Sequence, residues 1–221
     1  MSILSNLLDR QRWSRYGASL KYATYTMFHP FDGFWDLTHE KRGSMAAANT
    51  IVIAVLITRL LGLEHISFLF NNVYWPEVNI LQQCLSVLLP LVIFVLGNWG
   101  LTTLFEGKGT LKDVYMATCY ALAPYVLLQL PLIVLSNWIT VDEAAFYDVL
   151  NTLSLVWSGG LIICGMMQIH DYGLAKTLLF IVMTIAAMVV IIFLMLLFFT
   201  LIGDGVGYFT SLYKEITFRL Y

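Results

Sequence analysis

His170 and Asp171 stand side by side in "HDYGLAKTL", and a histidine with a carboxylate is the raw material of general acid–base catalysis. Neighbouring residues on a helix point apart, however, and no serine stands out as a nucleophile for them. Gly107, Lys108 and Gly109 in "LFEGKGTLKD" suggest a phosphate loop. That loop needs another glycine five residues before Gly107, and Thr102 occupies the position. The chain has no Gly-x-Ser-x-Gly elbow. His29 and His39 lack the spacing of metal ligands. Cys84, Cys119 and Cys164 all fall within apolar stretches and form neither a disulfide framework nor a metal pattern. The expectation is a protein that is not an enzyme, with no catalytic residues, no metal and no cofactor.

Other polar residues lie where polarity is costly. Arg59 falls inside an apolar run, and insertion scales charge roughly 3 kcal/mol for arginine at mid-bilayer. It lies about one turn from the end of that run, so its side chain can snorkel out; the alternative is an ion pair with Asp142 or Glu143. In "CYALAPYVLLQLPL", Pro124 and Pro131 each remove a helix hydrogen bond and free a carbonyl. Gln129 and Asn98 are the expected partners of those carbonyls, giving a kinked helix held by amides. The functional alternative is an intramembrane cavity lined by Asn98, Tyr120, Pro124 and Gln129. Small residues four apart point to close helix packing: Ala46, Thr50 and Ala54, then Ala117 and Ala121, then Gly160 and Cys164.

The elements that must position these groups follow from composition. Of 221 residues, 59% are apolar and 12% charged, against about 25% charged in soluble domains. The fold class is therefore all-α, a polytopic membrane protein. Five stretches are long enough to cross a bilayer, near residues 45–63, 82–104, 114–136, 150–169 and 177–202. Six of the twelve Lys and Arg precede the first span, and Lys108, Lys112 and Lys176 fall in loops on the same side, nine in all. The other side holds Lys214 and Arg219. This bias predicts a cytoplasmic N-terminus and an extracytoplasmic C-terminus in the cell membrane. A net charge of −2 and the lack of a dense basic stripe argue against a nucleic-acid ligand.

Three regions result: a cytoplasmic N-terminal segment over 1–44, a five-helix membrane domain over 45–202 and an amphipathic tail over 203–221. The stretch "FHPFDGFWDLTHEKRGS" is expected to form an interfacial helix that Asp32 caps and Gly43 ends. Phe31, Phe34, Trp35 and Thr38 share one face, and Lys41 and Arg42 meet anionic lipid phosphates. The alternative is that this face docks a cytoplasmic partner. Gly203, Gly205 and Gly207 are expected to break the fifth span. A second interfacial helix then carries Phe209, Leu212, Tyr213, Ile216 and Leu220. Tyr74 and Trp75 mark an outer loop at the membrane interface.

"FEGKGTLKDVY" leading into "YALAPY", and "HDYGLAKTL" leading into the last span, resemble the Yip1-domain family. "HPFDGFWDLTHEKRG" resembles its bacterial branch. The similarity runs from about Met27 to Ile202 and centres on the loops with Gly107, Lys108, Gly109, His170 and Asp171. The resemblance implies five spans and, by analogy with eukaryotic members, vesicle traffic with binding of Rab-type GTPases. Their Asp-Leu-x-Gly-Pro motif is replaced here, since Thr38, His39 and Glu40 follow Asp36 and Leu37, so GTPase binding does not carry over. The resulting expectation is a membrane scaffold or accessory subunit, for example of a transport complex, whose partners are lipids and other membrane proteins. The alternative is a carrier or lipid-handling protein with a polar intramembrane cavity.

Overall fold

The computed structural model describes residues 10–70 and 78–220. Among these residues the regular structure is helical throughout: α1 (Arg10–Phe28), α2 (Pro30–His39), α3 (Met45–His65), α4 (Ile80–Leu104), α5 (Leu111–Ala121), α6 (Ala123–Leu135), α7 (Ala144–His170) and α8 (Leu174–Leu220), with a short 3-10 turn at Val141–Glu143. Five helical segments are long and apolar enough to cross a membrane: α3, α4, α5 with α6, the turn with α7, and α8. Helices suit that medium because every backbone polar group is satisfied within the segment. Tyr74 and Trp75 lie outside the described residues.

Local chemistry sets most of the ends. Ser44 caps α3 through the Ala47 N–H, and Asn79 caps α4 through the N–H groups of Leu81 and Gln82. Thr110 and Asp113 form a reciprocal capping box at the start of α5. Thr140 and Glu143 do the same ahead of α7, which carries the fourth span well before residue 150. Acidic residues there lower hydropathy without opposing the helix, so the apolar pattern understates its length.

The third span is two helices, not one kinked helix. It breaks at Leu122, and Pro124 sits in the first turn of α6, where a missing N–H costs little. The expected break at Gly203, Gly205 and Gly207 is absent: α8 runs unbroken for 47 residues, about 70 Å. Each glycine disfavours a helix interior by only about 1 kcal/mol, and the segment has no proline.

The helix after Phe28 also differs from expectation. His29 stands at its N-cap without a side-chain bond, and Pro30 opens it. Asp32 lies inside the first turn. The helix ends before Glu40, and Lys41 makes the left-handed turn at φ 53°, where a glycine would be usual. Gly43 has another use, since a Cβ there would come within 2.8 Å of Leu37 Cγ. The face is also rotated. Phe34 and Leu37 are buried at 0% and 1% exposure, whereas Phe31 and Trp35 remain 50% and 45% exposed. Phe34 packs over Gly165 of α7 and Ala117 of α5, so α2 is seated on protein as well as facing outward. Gly33 allows α2 to press on α1, as a Cβ there would meet Thr26 at 2.8 Å.

The tightest packing lies near this N-terminal face, where Ala47, Ala48, Val114, Ala117, Cys119, Tyr120 and Ala121 are fully buried. Of the small residues singled out by spacing, Ala117 and Ala121 are in this core. Ala46 is exposed, and a Cβ at Gly160 would meet nothing within 4 Å. Gly165 is the glycine at the close approach on α7.

Candidate functional site

The loops after α4 and α7 meet on the N-terminal face and grip each other. Gly107 N–H closes the end of α4 onto the Thr102 carbonyl at 2.8 Å, with Glu106 left-handed at φ 62°. Asp171 ends α7 in the same conformation, at φ 55°. His170 lies between the two loops and is almost fully buried. Its Nδ1 accepts from the Gly109 N–H at 3.4 Å, and its Nε2–H donates to Asn98 Oδ1 at 3.1 Å. Asn98 Nδ2 donates to Thr184 Oγ1 at 3.2 Å, and Thr184 donates to the Phe180 carbonyl at 2.7 Å. One polarised chain thus ties the α4–α5 loop to α7, α4 and α8 in turn. It holds His170 neutral, because an imidazolium would set a second N–H against that of Gly109.

Outer contacts complete the grip. Lys108 Nζ meets Asp171 Oδ2 at 2.8 Å, and the Tyr172 hydroxyl donates to the Phe105 carbonyl at 2.9 Å. Lys176 stands 3.9 Å over the Tyr172 ring, a cation–π contact. The Lys108 ammonium, by hydrogen bond and charge, holds the Asp171 carboxyl below its ordinary range. Both ends of that pair are largely exposed, so water screens it, and it fixes register more than it adds stability. Glycine is required at both loop positions. A Cβ at Gly107 would stand 2.9 Å from His170 Nδ1, and one at Gly109 would collide with Ile169 and the His170 ring. The five motif residues Gly107, Lys108, Gly109, His170 and Asp171 therefore form one interlock. His170 and Asp171 make no bond to each other in it, each taking a separate partner.

The other candidates separate. Asn98 belongs to the interlock. Tyr120 donates to the Ser19 carbonyl at 3.1 Å, lies 2.7 Å from Ser19 Oγ and accepts from Ser44 N–H at 3.3 Å, joining α1 to α3 and α5. Gln129 donates to Asn151 at 2.7 Å and Ser154 at 2.8 Å on α7. Neither amide serves a carbonyl freed by a proline, and these residues do not assemble into the cavity considered from sequence. Pro124 is buried at the helix break. Arg59 has no ion pair among the described residues, with Asp142 and Glu143 included.

Sequence reasoning missed the partners: Ser19, Asn151, Ser154, Tyr172 and Thr184. It also missed Tyr22, whose hydroxyl donates to Asp36 at 3.0 Å across α1 and α2. Burial, with the Asp36 carboxylate beside it, raises the Tyr22 phenol above its ordinary range. Arg42 reaches the same Asp36 at 3.4 Å and also pairs with Glu40, while Lys41 stays exposed. His29 stacks on Tyr25 and His39 on Trp35. No group of three potential metal ligands occurs among the described residues.

Five apolar spans, a helical layer packed on one face and a loop interlock beneath it define a multi-pass helical membrane protein. A family model for the Yip1 domain matches residues 24–213, and the chain belongs to that family. Searches of curated proteins and of solved structures found no match.

Proposed function

We propose that this protein is a non-enzymatic scaffold or accessory subunit of a membrane complex, oriented in the cell membrane with its N-terminus in the cytoplasm. The orientation rests on the nine basic residues of the N-terminal side against two on the other. The observation that carries the functional reading is the rigidity of the α1–α2 layer. Phe34 pins it to α7, Tyr16 lies 2.6 Å from Thr50 of α3, and Ser19 meets Tyr120. The layer nevertheless presents Phe31, Trp35 and Lys41 outward. A surface held this firmly binds a partner without a large ordering cost. Asn98, Tyr120 and Gln129 are engaged in joining helices, which favours this reading over a carrier with a cavity lined by them.

A photo-crosslinking residue placed at Phe31 or Trp35 in native membranes tests this. One protein adduct of reproducible mass is expected from both sites, and none from Trp138 on the opposite face. Lipid adducts alone at Phe31 and Trp35 would make the layer an anchor and defeat the scaffold reading.

A further inference from the structure

On the opposite half of the bundle, a groove of about 510 Å³ lies between α3, α4, α5, α6, α7 and α8. Its size falls within the roughly 300–1,000 Å³ of small-molecule sites. Apolar side chains, among them Leu91, Phe94, Leu122 and Met188, form most of its wall. Arg59 also lines it and is exposed there. Arg59 stands six positions before the end of α3 at His65, and Ser86 six positions after the start of α4 at Ile80. Both therefore stand about 9 Å along their helices from the same side of the bundle. We infer that this groove is a binding site for one anionic glycerophospholipid, its phosphate on Arg59 and an acyl chain along the apolar wall.

Three observations select that ligand. Arg59 has no ion pair among the described residues, and a guanidinium at this depth gains most from a phosphate, which its planar fork meets with two bonds. The groove lining contains no Asp or Glu, so a zwitterionic headgroup would find no partner for its ammonium. Pro90, also in the lining, brings no N–H to the carbonyl of Ser86, another lining residue, leaving an acceptor that suits a headgroup hydroxyl. This site requires no protein partner, so it stands or falls apart from the scaffold reading.

The test is native mass spectrometry of the full chain in detergent, titrated with phosphatidylglycerol and, separately, with phosphatidylcholine. One phosphatidylglycerol should bind about tenfold more tightly than phosphatidylcholine: both carry the phosphate, but the choline cation competes with Arg59 for it and finds no Asp or Glu in the lining. Arg59→Gln should erase the difference, Arg59→Lys should reduce it, and Arg42→Gln on the other face should leave it intact. Leu155→Trp should weaken both lipids, because Leu155 lines the groove and its half-exposed position tolerates a larger ring. If Arg59→Gln fails to fold, Arg59→Lys and Leu155→Trp still decide the matter. Equal binding of the two lipids overturns the assignment. So does a preference that survives Arg59→Lys undiminished together with Leu155→Trp. Displacement of the lipid by inorganic phosphate at equal concentration would overturn the role of the acyl chain.

Discussion

A methyl group at Gly109 would run into Ile169 and the His170 ring, and one at Gly107 would stand 2.7 Å from the Thr102 side chain. Overpacking of this kind costs about 1–3 kcal/mol. Gly109→Ala and Gly107→Ala should therefore lower the thermal midpoint in detergent, whereas Gly160→Ala, with open space around it, should not. Equal midpoints for all three would remove the steric basis of the interlock. The Lys108–Asp171 pair adds a pH dependence. Its folded carboxyl titrates below the unfolded value, so its contribution is complete above the unfolded value and fades as pH falls through the folded one. The difference in midpoint between the native chain and Asp171→Asn should shrink in acid and in high salt. A difference that stays constant into strong acid would show that the pair does nothing. The glycines and the His170–Asp171 pair were visible as motifs, yet their purpose was not. The Gly109–His170 bond spans 61 residues and the Asn98–His170 bond 72, and no local pattern encodes such a meeting.

At the level of elements, α2 shows where periodicity stops informing. Ten residues of helix reveal which side chains share a face, but not whether the face meets lipid or protein. Phe34 was grouped with Phe31 and Trp35, although Gly33 and Gly165 let it turn inward to full burial. Phe34→Ala should cost about 3–5 kcal/mol of stability, as for other buried aromatics, whereas Phe31→Ser should change it by less than about 0.5 kcal/mol. Chemical denaturation in mixed micelles would compare them, and similar losses would restore the single lipid-facing stripe. The spans themselves were legible, because a 20-residue apolar run needs no tertiary context. The opening of α7 was not, since Asp142 and Glu143 mask a helix in a hydropathy scan.

For the whole molecule, the alternation of five spans makes a simple labelling prediction. Cysteine introduced at Lys108 should react only from the cytoplasm, and cysteine at Asp142 only from outside. The reverse pattern would invert the proposed orientation while leaving the helix packing untouched. It would also move the Arg59 groove to the inner leaflet. The direction rests on charge bias in the sequence alone, whereas no sequence pattern pointed to the groove, because its walls come from five separate spans.

The interlock lies at one end of α8, and the unbroken helix extends from it for 47 residues. Such a rod is a lever. A tilt of only 5° about its Leu174 end would carry its far tip roughly 6 Å, given a length near 70 Å. A shift of α8 at the interlock would therefore be carried along the unbroken helix to its far end. Spin labels at Lys108 and Lys214 would register that gearing as a change in distance when Gly109 is replaced.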